Sequence, residues 1–344
     1  MSPKNLNASN KTHKNLLNKL RDKRIFQIYR KFENNLKLNQ DFVVGVSGGS
    51  DSLALCFLSK IYSIKKLCNA HYYIVDHRLR KNSSREAQSV KKLLKKFNIN
   101  SNVLKWYGKK PISNIQSLAR NKRYSLLINQ AKKLNIKTIL TGHHIDDLYE
   151  NFFIRISRGS GLNGLVSFSE KTLREKVNIV RPLISFEKKH LNYVTSNVFK
   201  SYIEDPSNED NKFKRVRIRK LIKYLQNDGL DKNKFLLTIK NLKDSNETIK
   251  FYVAKNLKDN SCIYKDKSKI ILNEEFFNQP HEVTFRSLTE IIKFVGNKHY
   301  SVRGKKVDNI INKLKDDNRI SLKLTLGNCI IYKVHQSIVV LKEH

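Results

Sequence analysis

The sequence predicts an α/β protein: a parallel sheet with helices on both faces, followed by a mainly helical domain and a small C-terminal α+β segment. Two observations support this. Strand-length apolar runs alternate with helix-length stretches from residue 42 to residue 157, the pattern of successive βα units. The polar clusters Ser47–Ser52, Asp76–His77 and Gly142–Asp147 all fall where a strand ends, and open parallel sheets bind ligands outside the carboxyl ends of their strands.

The elements follow in order. Residues 1–20 are polar and basic and read as a tail, and Ile25, Ile28, Tyr29, Phe32 and Leu36 then form a helical stripe. The apolar run FVVGV at 42–46 reads as a strand. Helix 51–64 leads to strand 71–77, helix 84–97 to strand 102–106, and helix 114–134 to strand 137–144, with a helix at 145–157 beyond it. After RPLISFEKKH (181–190) and YIEDPSNEDNKFKRVRIRK (202–220) the character changes. Residues 214–257 read as helical, with Phe235, Ile239 and Leu242 at core spacing. A short hairpin near 262–272, helices near 282–295 and 303–316, and a terminal hairpin turning at Gly327-Asn328 complete the chain. Domain boundaries are expected near 218 and near 280.

Composition limits the function classes. Of 344 residues 39% are hydrophobic, enough for a packed core. No apolar stretch approaches the roughly 20 residues that span a bilayer, so no membrane partner is expected. The first 20 residues lack the apolar centre of a secretory signal. The four Cys are scattered without a CxxC pair, which points to a reducing cytoplasm and away from disulfides or a thiolate zinc site. Lys+Arg number 68 against 30 Asp+Glu, a net charge of +38. That excess favours a polyanionic partner, because each neutralised phosphate releases counterions. A coding bias toward Lys, Asn and Ile would raise the charge as well, so charge alone names no reaction.

The chemistry is concentrated in VVGVSGGSDSLAL (43–55), a strand that breaks into a Gly/Ser turn and becomes a helix, without the Lys of a Walker A loop. Gly48 and Gly49 allow close backbone approach to an anion. The unpaired N–H groups and dipole of the following helix favour negative charge there, and Ser47, Ser50 and Ser52 can donate to phosphate oxygens. Asp51 either caps the helix or helps to hold Mg²⁺. In HHIDDLYEN (143–151), Glu150 lies three residues from Asp147 and four from Asp146, so it can share a helical face with either. Acids in a first helical turn are also stabilised by the dipole alone, and His143 and His144 are also readable as plain strand-end residues. Arg120 and Arg123 reach phosphate or solvent from their helix. Arg215, Arg217 and Arg219 share one face if their segment is extended.

SGGSDS after a strand resembles the loop of the ATP pyrophosphatase, or PP-loop, family. VDHRLRKNSSREA (75–87), ARNKRY (119–124), TGHHIDDLYEN (141–151), RGSGLNGL (158–165), RPLI (181–184) and EDPSNED…RVRIR (204–219) occur in the order and spacing of bacterial tRNA(Ile)-lysidine synthetases. TLGNCII (325–331) is more weakly similar to their C-terminal segment. The resemblance implies an adenine nucleotide alpha hydrolase-like fold, with 21–218 as the PP-loop ATP-binding catalytic domain and 219–280 as a helical tRNA-binding domain. It implies a reaction in which ATP adenylates the wobble cytidine of a tRNA-Ile with a CAU anticodon and free L-lysine displaces AMP. On that reading Ser47, Gly48, Gly49, Ser50, Asp51, Ser52, Asp76, His77, Arg123 and His143 bind the nucleotide. Asp147 and Glu150 hold the lysine amine, Asp146 faces Mg²⁺ or the loop, Asp51 caps its helix or helps to hold Mg²⁺, and Arg215 pairs with the lysine carboxylate or AMP. A homodimer is compatible with it. Leu148 stands where the family usually has Gln, Asn151 where it has Thr, and Ser167-Phe168 where it has Gly-Met; the C-terminal part is short. A PP-loop thiolase is disfavoured because the nearest Cys, Cys56, sits at an apolar helix position. A non-catalytic RNA-binding protein is disfavoured by the intact loop and acids.

Overall fold

Phe42–Val46 is buried on both faces, and a run of that kind has one stable position, the centre of a helix-covered sheet. In the computed structural model, which describes residues 13–79, 82–108, 115–203, 214–264, 269–298, 302–316 and 321–343, this segment is β1. The EDPSNED motif at 204–210 lies outside the described residues. The strands β2 (Ala70–Asp76), β3 (Ser101–Lys105), β4 (Thr138–Leu140), β5 (Lys171–Arg174) and β6 (Val177–Val180) complete a sheet of order β3-β2-β1-β4-β6-β5. All neighbours are parallel except the edge pair β5–β6.

The pleat divides the core. Val44 packs with helices α1 (Lys23–Leu36), α2 (Ser50–Lys66), α3 (Ser83–Lys96) and α7 (Lys188–Val198). Val43 on the opposite face packs against α4 (Ile115–Lys133) through Leu127, Ile128 and Ala131. The α1 stripe is buried as its spacing predicts, and the Asp22 carboxylate caps it by accepting from the Ile25 N–H at 2.9 Å. Leu53 to Leu58 of α2 are fully buried, so this helix is apolar all round because it lies inside the domain.

Several features differ from the sequence expectation, beginning with the tail read over 1–20, where Leu16 is buried in the core. The strand expected over 137–144 ends at Leu140, which frees Thr141–His144 to connect it to α5 (Ile145–Ile156). The β5–β6 hairpin was not foreseen: its turn residues Glu175 and Lys176 have φ of 51° and 66° without Gly or Asn to announce it. The expected helix 214–257 is two helices, α8 (Lys214–Asn227) and α9 (Lys232–Asn260), separated at Gly229 with φ of 100°. A short helical turn, α6 (Leu162–Leu165), follows α5.

The chain divides into two compact units, Met1–Leu230 and Asp231–His344. The boundary expected near 218 falls inside α8, where Val216, Ile218 and Ile222 are buried, and position 280 falls inside the second unit. That unit has an antiparallel sheet of order β7-β8-β11-β10-β9, formed by β7 (Ser261–Ile263), β8 (Lys269–Leu272), β9 (Ser321–Leu326), β10 (Cys329–Val334) and β11 (Ser337–Lys342). Its core also takes residues from α10 (His281–Val295) and α11 (Gly304–Asp316). The turn at Gly327-Asn328 has φ of 65° and 63°, as a two-residue hairpin turn requires. The terminal element is three strands rather than a hairpin, and β8–β11 pairing joins it to the 261–272 hairpin. Among the described residues no helix is long and apolar enough to cross a membrane.

Helix α7 fixes the start of α2, because the buried Thr195 hydroxyl donates to the Ser50 carbonyl at 2.7 Å. Replacing Thr195 with Val removes that hydrogen bond at nearly constant volume. It is expected to lower stability by about 1 kcal/mol, read as a lower urea midpoint at unchanged slope.

Candidate active site

The loop after β1 is shaped from within. The Ser52 hydroxyl accepts from the N–H groups of Ser47 and Gly48 at 3.2 and 3.0 Å, and donates to the Gly49 carbonyl at 3.0 Å. Ser52, expected as a phosphate donor, is therefore buried and braces the turn. Gly48 has φ of 91°, and a Cβ there would meet Val90 Cγ2 at 2.5 Å, so position 48 requires glycine. The first intrahelical bond of α2 runs from the Leu53 N–H to the Gly49 carbonyl at 3.1 Å. The earlier N–H groups of the helix have no partner within it.

A second loop closes on this helix start. A Cβ on Gly142 would lie 3.1 Å from the Asp51 carbonyl oxygen and 3.2 Å from Ser52 Cα, so the glycine lets TGHH approach the PP-loop backbone. His144 caps α5: its Nδ1 accepts from the Asp146 N–H at 3.3 Å, while Asp147 Oδ2 accepts from the His144 N–H at 3.0 Å. His144 Nε2 faces Asp51 Oδ2 at 3.5 Å and Asp147 Oδ2 at 3.8 Å. Burial alone would lower the His144 pKa, but the hydrogen bond to Asp51 and the charges of Asp147 and Asp146 raise it to about 9. On protonation Nδ1 faces the Asp146 carboxylate 3.6 Å away instead of accepting the cap bond. The acids of α2 and α5 therefore converge on one imidazolium.

The carboxylates around it differ. Burial raises the Asp146 carboxyl, with His144 opposing. Burial would also raise Asp147, yet His143, His144 with its backbone N–H, and Arg215 bring it below the usual carboxylate range. Glu150 is 2% exposed and burial raises its carboxyl against the pull of Arg219. Arg219 Nε donates to Glu150 Oε1, and Glu150 Oε2 is buried with no hydrogen-bond partner among the described residues.

His143 and His77 behave oppositely to His144. Burial lowers His143 to about 3, with Asp147 opposing and the nearby arginines adding, and burial with Arg123 lowers His77 to about 4. Both rings are neutral and sit against arginines: Arg123 Nε donates to His77 Nε2 at 3.3 Å, and Arg120 Nη1 lies 3.4 Å from His143 Nε2.

One cavity of about 580 Å³ gathers Ser47, Gly49, Asp51, Ser52, Arg123, His143, Asp146, Asp147, Glu150 and Arg215. Gly48, Ser50, Asp76 and His77 do not line it. Asp76 has its oxygens occupied by the Arg78 N–H at 3.0 Å and the Ser83 and Ser84 hydroxyls at 2.8 and 2.6 Å, which ties the end of β2 to α3. His77 acts on the cavity wall through Arg123. The segment holding Arg215 is helical rather than extended, so Arg215 shares its face with Arg219, Ile222 and Gln226 instead of with Arg217.

A PP-loop domain model matches residues 19–225. The tRNA(Ile)-lysidine synthase of Wolbachia sp. subsp. Brugia malayi is 32% identical over 310 residues, 89% of this chain and 71% of that protein. Its counterpart in Orientia tsutsugamushi is 33% identical over 323 residues, 91% of this chain and 71% of that protein. The chain belongs to the tRNA(Ile)-lysidine synthase family of PP-loop enzymes. The solved U34-tRNA thiolase NcsA of Methanococcus maripaludis is similar over 60% of this chain and 75% of its own, with a TM-score of 0.53 and 17% identity, which establishes the fold alone.

As a lysidine synthase family member, the chain is a tRNA-modifying enzyme. Among the cavity residues that the sequence reading missed or misjudged are Lys188, 3.9 Å from Asp51, Arg219 and Glu86. Lys188 sits in the EKKH stretch after RPLI, a motif whose position was legible although the function of its lysine was not. Of the departures from the family pattern, Leu148 is buried and Phe168 packs edge-on against His143 with ring centroids 5.3 Å apart.

The opposed histidines set a pH optimum of stability. His144, raised from 6.5 to about 9, contributes stability that is complete below pH 6.5 and lost as pH rises through about 9. His77 and His143, lowered to about 4 and about 3, contribute stability that is lost as pH falls below 6.5. Urea midpoints should therefore peak near pH 6.5 in this window, and His144→Gln should flatten the alkaline limb while leaving the acid limb.

Proposed function

We propose that the chain ligates lysine to carbon 2 of the wobble cytidine in the CAU anticodon of tRNA-Ile, through an adenylated cytidine, releasing pyrophosphate and AMP. The observation that supports this best is that a single cavity lies between the PP-loop helix start, the α5 acids and the Arg215–Arg219 face of α8. The first step would join the cytidine carbon-2 oxygen to the α-phosphorus and break its bond to pyrophosphate. Gly49 and the N–H groups at the start of α2 that have no partner within the helix would hold the leaving pyrophosphate.

Among the described residues no three side chains form a metal site by themselves. That fits Mg²⁺, which takes one or two carboxylates and completes its shell with substrate phosphates and water. Asp51 and Asp146 would hold it, and it would supply charge neutralisation on the phosphates.

In the second step the lysine ammonium gives up a proton, the freed amine bonds to carbon 2, and the carbon–oxygen bond breaks to release AMP. Asp147, kept ionised, is suited to grip the cationic amine. Glu150, with a raised carboxyl and an unoccupied Oε2, is suited to take the proton. Arg215 would receive the lysine carboxylate or the AMP phosphate, and Arg219 keeps Glu150 in place. The lysine-rich second unit would contribute tRNA binding. Cys56, the cysteine nearest the loop, is fully buried and its thiol is raised by burial, which gives no support to sulfur transfer.

Protein incubated with ATP, Mg²⁺, radiolabelled lysine and unmodified tRNAs should label only the tRNA-Ile with the CAU anticodon. Absence of label, or labelling of tRNAs in general, would overturn the assignment. Asp147→Asn should reduce transfer by at least about a hundredfold with an unchanged circular dichroism spectrum, and a fully active variant would remove Asp147 from the chemistry.

A further inference from the structure

We infer that Arg78, Trp106 and Tyr107 form a platform beside the catalytic cavity on which unpaired bases of the RNA substrate stack. This rests on the tRNA-modifying reading above and adds where the RNA loop is gripped. The pairing of β2 with β3 continues past the strands, with the Trp106 N–H donating to the Asp76 carbonyl at 2.9 Å. That brings His77-Arg78 alongside Trp106-Tyr107 at the carboxyl edge of the sheet. Arg78 has φ of 53° and its N–H donates to Asp76 Oδ1, a left-handed turn that an arginine adopts only at a cost. Its guanidinium lies 5.2 Å from the centre of the Tyr107 ring, which is 70% exposed.

The group is continuous with the cavity. Trp106 meets the His77 ring edge-on with centroids 6.3 Å apart, and His77 accepts from Arg123, which lines the cavity. An exposed ring with a cation beside it is the chemistry that holds unpaired bases: the ring stacks on any base and the cation attends the phosphates. A nucleotide fed into the cavity for attack on its base must leave its own stack, and its neighbours then need a surface to replace the lost contact. Tyr107 offers such a surface next to Trp106, which reaches Arg123 through His77.

Trp106 is the only tryptophan among the 344 residues, so its fluorescence reports this place alone. The full chain titrated with an anticodon stem-loop RNA should lose Trp106 emission, with the same affinity that filter binding gives. The blunt stem without its loop and Mg²⁺-ATP alone should leave emission unchanged. Tyr107→Ala should weaken stem-loop binding about tenfold and Tyr107→Phe should retain it, with ATP affinity constant in both. Unchanged emission at saturating RNA, equal quenching by the stem or by ATP, or full affinity in Tyr107→Ala would each overturn the platform. Quenching without lysine transfer would uphold the platform and sink the lysidine reaction; transfer without quenching would do the reverse.

Discussion

The turn that Ser52 braces is the constraint on which the site depends. A buried hydroxyl accepting two N–H groups and donating to one carbonyl fixes where β1 stops and where α2 begins. Everything that faces a nucleotide is placed relative to that point. Gly142 can approach because it has no Cβ, His144 then reaches Asp51, and Thr195 anchors the Ser50 carbonyl from α7. The start of α2 thus meets the start of α5 through Asp51 and His144, 3.5 Å apart. A helix start aimed at acids would repel an anion unless a cation lay between them, and the protonated His144 fills that position.

Electrostatics in this unit works by contrast between similar residues. Three histidines within two motifs titrate in opposite senses because one is surrounded by carboxylates and two are buried against arginines. Two acids three residues apart on α5 also part: the Asp147 carboxyl is lowered and the Glu150 carboxyl is raised. Paired groups pushed apart in this way are a means by which one site can supply both an ion binder and a base at neutral pH. The net charge of +38 does not produce these differences, because they arise at distances of 3 to 4 Å inside the domain.

Much of the fold was readable because parallel βα units carry a strong pattern: buried strands as apolar runs, helices as stripes. The β5–β6 hairpin was not readable, since its turn uses Glu175 and Lys176 in left-handed conformations and its strands are short. The motifs carried the family, which the relatives bear out. What failed was the assignment of individual polar groups within a motif. Ser52 and Asp76 sit in the right clusters, yet their hydrogen bonds are spent inside the protein. Arg219 was grouped with Arg217 on an extended reading, whereas the helix turns it toward Glu150.

The sequence by itself determined the alternation that forces a parallel sheet, the Gly-Gly break after β1, and the spacing of acids on α5. These are local consequences of side-chain size, backbone freedom and helical period. Only the tertiary structure decided which of those groups face a ligand and which face each other. That choice depends on residues far apart in the chain meeting at one edge of the sheet: Asp51 with His144 and Lys188, Glu150 with Arg219, His77 with Arg123. A polar side chain is available for chemistry only when no nearer partner claims it, and no spacing rule along the chain reports which partner is nearer.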